Sequence, residues 1–303
     1  MTRRSITLAI LGFWLSGLAL LYKRSTAQTP EQTLVEAGMR VSPQTYYYRV
    51  EKDGVQIGAA SSAIDTTTTQ LTATDFIRVA VPSARGTLRM QARSEARFSR
   101  GLNLRDLIVK VQGDVRQVLL RGVLQGEGDA RTFQLTTETP RRHATTKEYD
   151  VAGLMFVPTV APLPLMLNKT RKPGVAFSAS IFDPLSRTIR KVNLKVERDS
   201  LFNLTDSAGL DPSTARWVKA HTDTVRGWLI SGNVPLTRLW VDESGRMIAA
   251  SEPGGISFSR TAFEMAFENW RLQTTAGDSA TKRHRNTETQ KTARLPLGTA
   301  EPR

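Results

Sequence analysis

The chain contains no cysteine, and that absence removes disulfides, thiolate metal sites and a lipid-modified N-terminal cysteine together. Stability therefore has to come from packing. Histidine is scarce: His143, His221 and His284 stand far apart in polar stretches, and no two of them have metal-ligand spacing. There is no Gly-x-Ser-x-Gly elbow and no Gly-x-x-x-x-Gly-Lys phosphate loop. The carboxylates Asp183, Glu197 and Asp242 could pair in space, but Asp183 and Asp242 sit in sequences that read as turns. An enzyme would require folding to gather Asp183, His221 and a hydroxyl residue into one cleft. The expectation is a non-enzymatic protein with no catalytic residue, no cofactor and no metal.

Acidic charge is the other shortage. Against 42 Lys and Arg stand 28 Asp and Glu, a formal charge of +14, so the protein is drawn to anionic surfaces: phospholipid head groups, acidic proteins or nucleic acid. With 303 residues, 40% of them hydrophobic, the chain can bury a sizeable core in one large domain or two small ones.

The N-terminus selects the compartment. Arg3 and Arg4 precede an uncharged run that carries Ile6, Leu8, Ile10, Leu11, Phe13, Trp14, Leu15, Leu18, Leu20, Leu21 and Tyr22, with Lys23 and Arg24 after it. The run is at the short end of a membrane span and longer than most signal-peptide cores. Ser25-Thr26-Ala27 permits cleavage before Gln28, whereas Lys23, Arg24 and the interface-type residues Phe13, Trp14 and Tyr22 suit a retained anchor. Both readings export the body. The expected placement is a single-pass protein of the inner membrane with its main domain in the periplasm, contacting membrane lipid through residues 1–27. Export disfavours nucleic acid as the anionic partner.

Residues 28–45 read as a linker with a short helix near Leu34 to Met39, and residues 46–271 as the folded body. Leu88, Met90, Ala92, Ala96 and Phe98 alternate with Arg89, Gln91, Arg93, Glu95 and Arg97, a period of two that marks a long strand with one apolar and one charged face. Strands over Leu104 to Gln112, Val115 to Gln125 and Ala130 to Thr137 follow after glycine-containing breaks, giving an antiparallel meander. Tyr46 to Glu51 and Val55 to Ile64 are joined by Lys52-Asp53-Gly54, an Asp-Gly hairpin signal, and Phe76 to Val81 adds another strand. About seven strands thus precede Pro140.

Pro140 to Tyr149 is polar and basic and gives no strand signal. The apolar segment that follows, Val151 to Leu167, carries Pro158, Pro162 and Pro164, which exclude a long regular helix. It either covers an end of the sheet, plugs its concave face, or rests on the membrane. Strands resume at Val175 to Phe182, Val192 to Glu197, Thr224 to Ile230, Leu236 to Val241, Arg246 to Ser251 and Ile256 to Arg260. A short helix is expected near Pro212 to His221 and a helix-like closing segment from Phe263 to Trp270. Trp217, Trp228, Trp240 and Trp270 read as core or rim residues. Residues 272–303, with Lys282, Arg283, Arg285, Lys291 and Arg294, read as a basic tail.

Three stretches resemble one family. Tyr48 to Gly58 is similar to the opening hairpin of bacterial envelope domains found ahead of transglutaminase-like domains, Phe182-Asp183-Pro184-Leu185-Ser186 to their mid-chain aromatic-Asp-Pro element, and Leu239 to Gly255 to their closing hairpin. The resemblance implies a mainly β fold, a large curved antiparallel half-barrel with a few short helices, similar in outline to periplasmic carriers of lipids or lipoproteins. No transglutaminase-like domain is expected after the half-barrel, so that neighbour's chemistry is not implied. Arg89, Arg93 and Arg97 share one strand face, either a solvated surface or a docking face for anionic lipid or an acidic partner. The functional expectation is a membrane-anchored accessory subunit on a larger membrane protein complex, envelope, respiratory or photosynthetic; the alternative is a carrier whose concave face is an open apolar cavity.

Overall fold

The computed structural model describes residues 30–273, apart from 84–85, 115–116, 128–129, 141, 168–170, 185, 233–237 and 253. The expected anchor, 1–27, and the tail beyond 273 lie outside the described residues. Among the described residues, no helix is long and apolar enough to cross a membrane.

Helix α1 (Pro30–Arg40) lies in the stretch expected to be a linker, with Leu34 and Ala37 buried against the body. It packs closely: a Cβ on Gly38 would clash with the carbonyl oxygen of Arg100, and the Arg100 guanidinium donates to the Gly38 carbonyl at 3.0 Å. After it comes an antiparallel meander of β1 (Gln44–Lys52), β2 (Val55–Thr66), β3 (Gln70–Ser83), β4 (Gly86–Ser99), β5 (Leu104–Gly113), β6 (Gln117–Glu127), β7 (Ala130–Thr139) and β8 (Arg142–Val151). The β1–β2 turn has positive φ at both Asp53 (51°) and Gly54 (80°), the backbone that matches strand twist in a two-residue hairpin. Seven strands precede Pro140, as the alternation requires.

The eighth was not expected. β8 pairs with β7 through hydroxyl and amide partners, Thr136 with Thr146 at 3.1 Å and Gln134 with Glu148 at 3.2 Å. As an edge strand it is polar on both faces, which erases the alternation signal.

The chain then turns inward through β9 (Met155–Phe156) and the short helix α2 (Leu163–Leu167). β10 (Ala176–Asp183), β11 (Thr188–Asp211), β12 (Arg216–Ser231), β13 (Arg238–Val241), β14 (Met247–Ser251) and β15 (Ile256–Thr261) complete the sheet. β15 pairs with β1, so the order runs β8 to β1 and then β15 down to β9, with β8 and β9 as the two edges. The β8 end reaches the opposite half of the sheet: the Tyr149 hydroxyl on β8 donates to the Arg187 carbonyl in the β10–β11 turn at 2.7 Å, and the Ser180 hydroxyl on β10 donates to the Ala152 carbonyl just past β8 at 3.2 Å. The fold is therefore mainly β, a curved sheet that nearly closes, further around than a half-barrel.

Its interior is filled. Met155, Phe156, Val160, Ala161, Leu163, Leu165 and Met166 are buried in one cluster with Leu71, Phe98, Leu107, Leu120 and Phe133 from one half of the sheet and Phe182, Val196, Trp228 and Ile230 from the other. The plug is held by its own turns, Val160 and Ala161 donating to the Val157 carbonyl and Met166 to that of Pro162, an economy suited to a segment whose prolines forbid a longer helix.

The outer layer has two parts. β11 and β12 form one hairpin arm that runs past the sheet, and register shifts at Val196/Arg198 and Thr205/Ser207 bend it across the outer face. The helix expected near Pro212 to His221 is instead a turn and the start of β12. Asp211 accepts from the Ser213 amide and from the hydroxyls of Ser213 and Thr214, while Ala215 adopts φ 51°, and these hold the chain in a reversal. The closing helix α3, residues 263–273, is π-helical over Glu264–Glu268 and lies on β1–β3, where Ala59, Ala266 and Trp270 are buried together. The arm reaches it: Asn269 accepts from the Trp217 amide at 2.9 Å and donates to the Trp217 carbonyl at 2.7 Å.

Candidate functional site

Outward-facing residues of the first strands and α3 together make a groove. On the outer face, β1 contributes Tyr47 and β3 contributes Phe76, Arg78 and Ala80. Helix α3 brings Phe263 and Phe267 onto them, Tyr47 meeting Phe263 edge-on at 5.1 Å and Phe76 stacking on Phe267 at 6.4 Å. The Arg78 guanidinium lies over the Trp270 ring, 5.6 Å from its centre. Between helix and sheet a groove of about 490 Å³ remains, with Arg89, Glu268 and Arg271 also on its wall. Its floor is aromatic and its charges are mostly cationic.

Cations continue sideways from this groove. Phe76, Arg93 and Lys110 stand directly opposite one another on β3, β4 and β5, so all three share the outer face. Four residues further along β4, Arg97 meets Asp106 at 2.8 Å and Glu95 at 3.9 Å, and on β6 Arg121 meets Glu138 at 3.4 Å. Arg93 and Lys110 have no such carboxylate among the described residues. The structure thus places Arg89, Arg93 and Arg97 on one face, with Arg89 at the groove, Arg93 in a like-charge pair and Arg97 neutralised.

A second polar cluster lies on the inner face. Asp75 accepts hydroxyl hydrogens from Ser62 at 2.6 Å, from Thr159 of the plug at 2.7 Å and from Ser94 at 3.4 Å. Arg246, 4% exposed, donates to both the carbonyl and hydroxyl oxygens of Ser62. Arg260 pairs with buried Asp242 at 2.7 Å and lies 3.9 Å over the Tyr46 ring. Burial raises the Asp75 carboxyl above its usual range, against the pull of the hydroxyls and Arg246, and raises the Tyr46 and Tyr48 phenols. Through Ser62 the Asp75–Thr159 bond links the plug to Arg246, whose Nε is buried without a hydrogen-bond partner among the described residues, and the Arg246 amide donates to Asp242, which pairs with Arg260.

Sequence reasoning missed both Asp75 and Arg246. The available signal was a carboxylate breaking the otherwise apolar inward row Leu71, Ala73, Ile77 and Val79, a position that must find partners inside the sheet. Asp183 and His221 are not brought to a shared partner: Asp183 accepts from Ser186 at the β10–β11 turn, whereas His221 on the arm sits 2.9 Å from Asp206. Asp206, His221 and Asp223 offer donor atoms within 4.8 Å of one another and are the described residues whose arrangement could hold a metal ion. All three are exposed, and the His221–Asp206 hydrogen bond accounts for the geometry. That bond raises the His221 pKa and lowers that of Asp206. His143 lies on β8, exposed, and His284 is outside the described residues. Trp228 and Trp270 are buried, and Trp217 and Trp240 are partly so.

No protein-family model matches the chain. No curated protein matches it. Among solved structures, a β-barrel-like protein of the DUF1849 domain of unknown function from Brucella abortus is similar, at 11% identity and a TM-score of 0.48 over 73% of this chain and 96% of that one. A DUF1089 family protein from Pseudomonas aeruginosa is similar at 15% identity and a TM-score of 0.33, over 65% of this chain and 90% of that one.

Proposed function

We propose that this protein is a non-enzymatic accessory subunit, anchored in the inner membrane by its N-terminal segment, that docks from the periplasm on a larger membrane protein complex. The observation that carries this reading is the solid interior. A plug packed against both halves of the sheet occupies the concave side with the chain's own side chains, which favours recognition by the outer layer. There the arm presents Leu201, 66% exposed, with Leu210 and Val218 also exposed along the same hairpin. An anchored position suits a fixed subunit better than a shuttle. The test is purification of the full chain from membranes in mild detergent: the reading expects a stoichiometric complex, lost when Leu201, Leu210 and Val218 are changed to Asp while the unfolding midpoint is kept. Recovery as a free monomer from native membranes would count against it.

A further inference from the structure

We propose that the groove under α3 and the cations beside it bind one anionic phospholipid, its acyl chain against Phe76, Ala80, Phe267 and Trp270 and its phosphate at Arg78, Arg93 and Lys110. Three observations lead there. The groove, at about 490 Å³, is in the size range of small-ligand sites and has an aromatic floor. Arg93 and Lys110, both exposed, face each other across β4 and β5, a like-charge pair whose repulsion an anion between them would relieve. Their neighbours Arg97 and Arg121 each have a carboxylate of the chain itself, so the missing anion is a local feature of this row. Finally, Phe76 stands in the same row as Arg93 and Lys110, so the apolar floor and the cation pair adjoin.

An apolar trough that opens onto fixed cations matches a molecule with a chain at one end and a phosphate at the other. None of the residues that line the groove belongs to the arm, so failure of the lipid proposal would leave the subunit reading standing.

The experiment adds phosphatidylglycerol or phosphatidylcholine of identical chains to the full-length protein in neutral detergent and counts retained lipids by native mass spectrometry. One phosphatidylglycerol per chain is expected, at a concentration about tenfold or more below that needed for phosphatidylcholine. Arg93→Glu with Lys110→Glu should abolish that preference, and Arg93→Gln with Lys110→Gln should weaken it. Ala80→Phe should fill the trough and lower retention of both lipids. Equal retention of the two lipids by the parent, or unchanged preference in the charge-reversed variant, would overturn the proposal. Displacement of the lipid by equimolar inorganic phosphate would reduce the site to an anion site only. Binding of a poly-glutamate peptide that matches phosphatidylglycerol and ignores Ala80→Phe would assign the face to an acidic protein instead.

Discussion

The two faces of this one sheet handle charge in opposite ways. On the inner face Asp75, Asp242, Arg246 and Arg260 are brought together with hydroxyls and aromatic rings, and Asp75 ties them to the chain's own plug through Thr159. On the outer face of β3 to β5, Arg93 and Lys110 confront each other without a carboxylate, next to a trough of aromatic side chains. Desolvated charges must be paired inside, whereas water and ions tolerate mismatch outside. The inner face is therefore where stability resides, and the outer face is where binding free energy is left unused.

Changes that break the inner face should have the largest effects. Phe156→Ala removes a ring with no exposure from the plug and is expected to cost about 3–5 kcal/mol in denaturant unfolding, while Leu201→Ala on the arm should stay within about 0.5 kcal/mol. Arg260→Met leaves Asp242 buried without its guanidinium and should cost about 3–5 kcal/mol. Adding Asp242→Asn should return a large part of that loss, and a double-mutant cycle reads the coupling.

Asp75 sharpens the contrast through pH. Its carboxyl is raised in the fold from an ordinary value of 3.8, so the native chain holds the proton more tightly than the unfolded chain. The cost of ionising it is absent below 3.8 and fully present above the raised folded value. The protein should therefore gain stability relative to an Asp75→Asn variant as pH falls through that window, read by unfolding midpoints across pH.

The smallest effect belongs to the exposed arm. The Asp206 hydrogen bond raises His221 above 6.5, so its contribution is complete below 6.5 and disappears as pH rises through the folded value. An NMR titration should show the raised His221 midpoint fall toward 6.5 in Asp206→Asn with no measurable change in unfolding midpoint.

What the sequence made legible follows the same division. Strands with one wet and one dry face, such as β4 with Ala96 and Phe98 inward and Arg93 and Arg97 outward, declare themselves by period. The prolines at 158, 162 and 164 excluded a long helix, and filling the concave face was one of three places the apolar segment could take. β8 and the outer part of the arm, residues 198–223, were not legible, because an edge strand and a hairpin lying over another layer are polar or mixed on both faces, whereas the inner ends of β11 and β12 were. Asp75 was hidden by the threonines before it, which blurred the start of its strand, and Arg246 by its place right after a turn, where a surface charge is ordinary. The groove could not be read at all: Phe76 and Phe267 lie far apart in sequence, and only the return of α3 over β3 brings them together.

Hydrogen exchange at the plug amides of Val160, Ala161, Leu163 and Met166 tests the filled interior most directly. Each is bonded within the buried plug, so exchange should be as slow as in β4 and β5 and require global unfolding. Exchange at the pace of an open loop, with the strands still protected, would mean that the plug swings out and exposes a cavity, and would contradict the account.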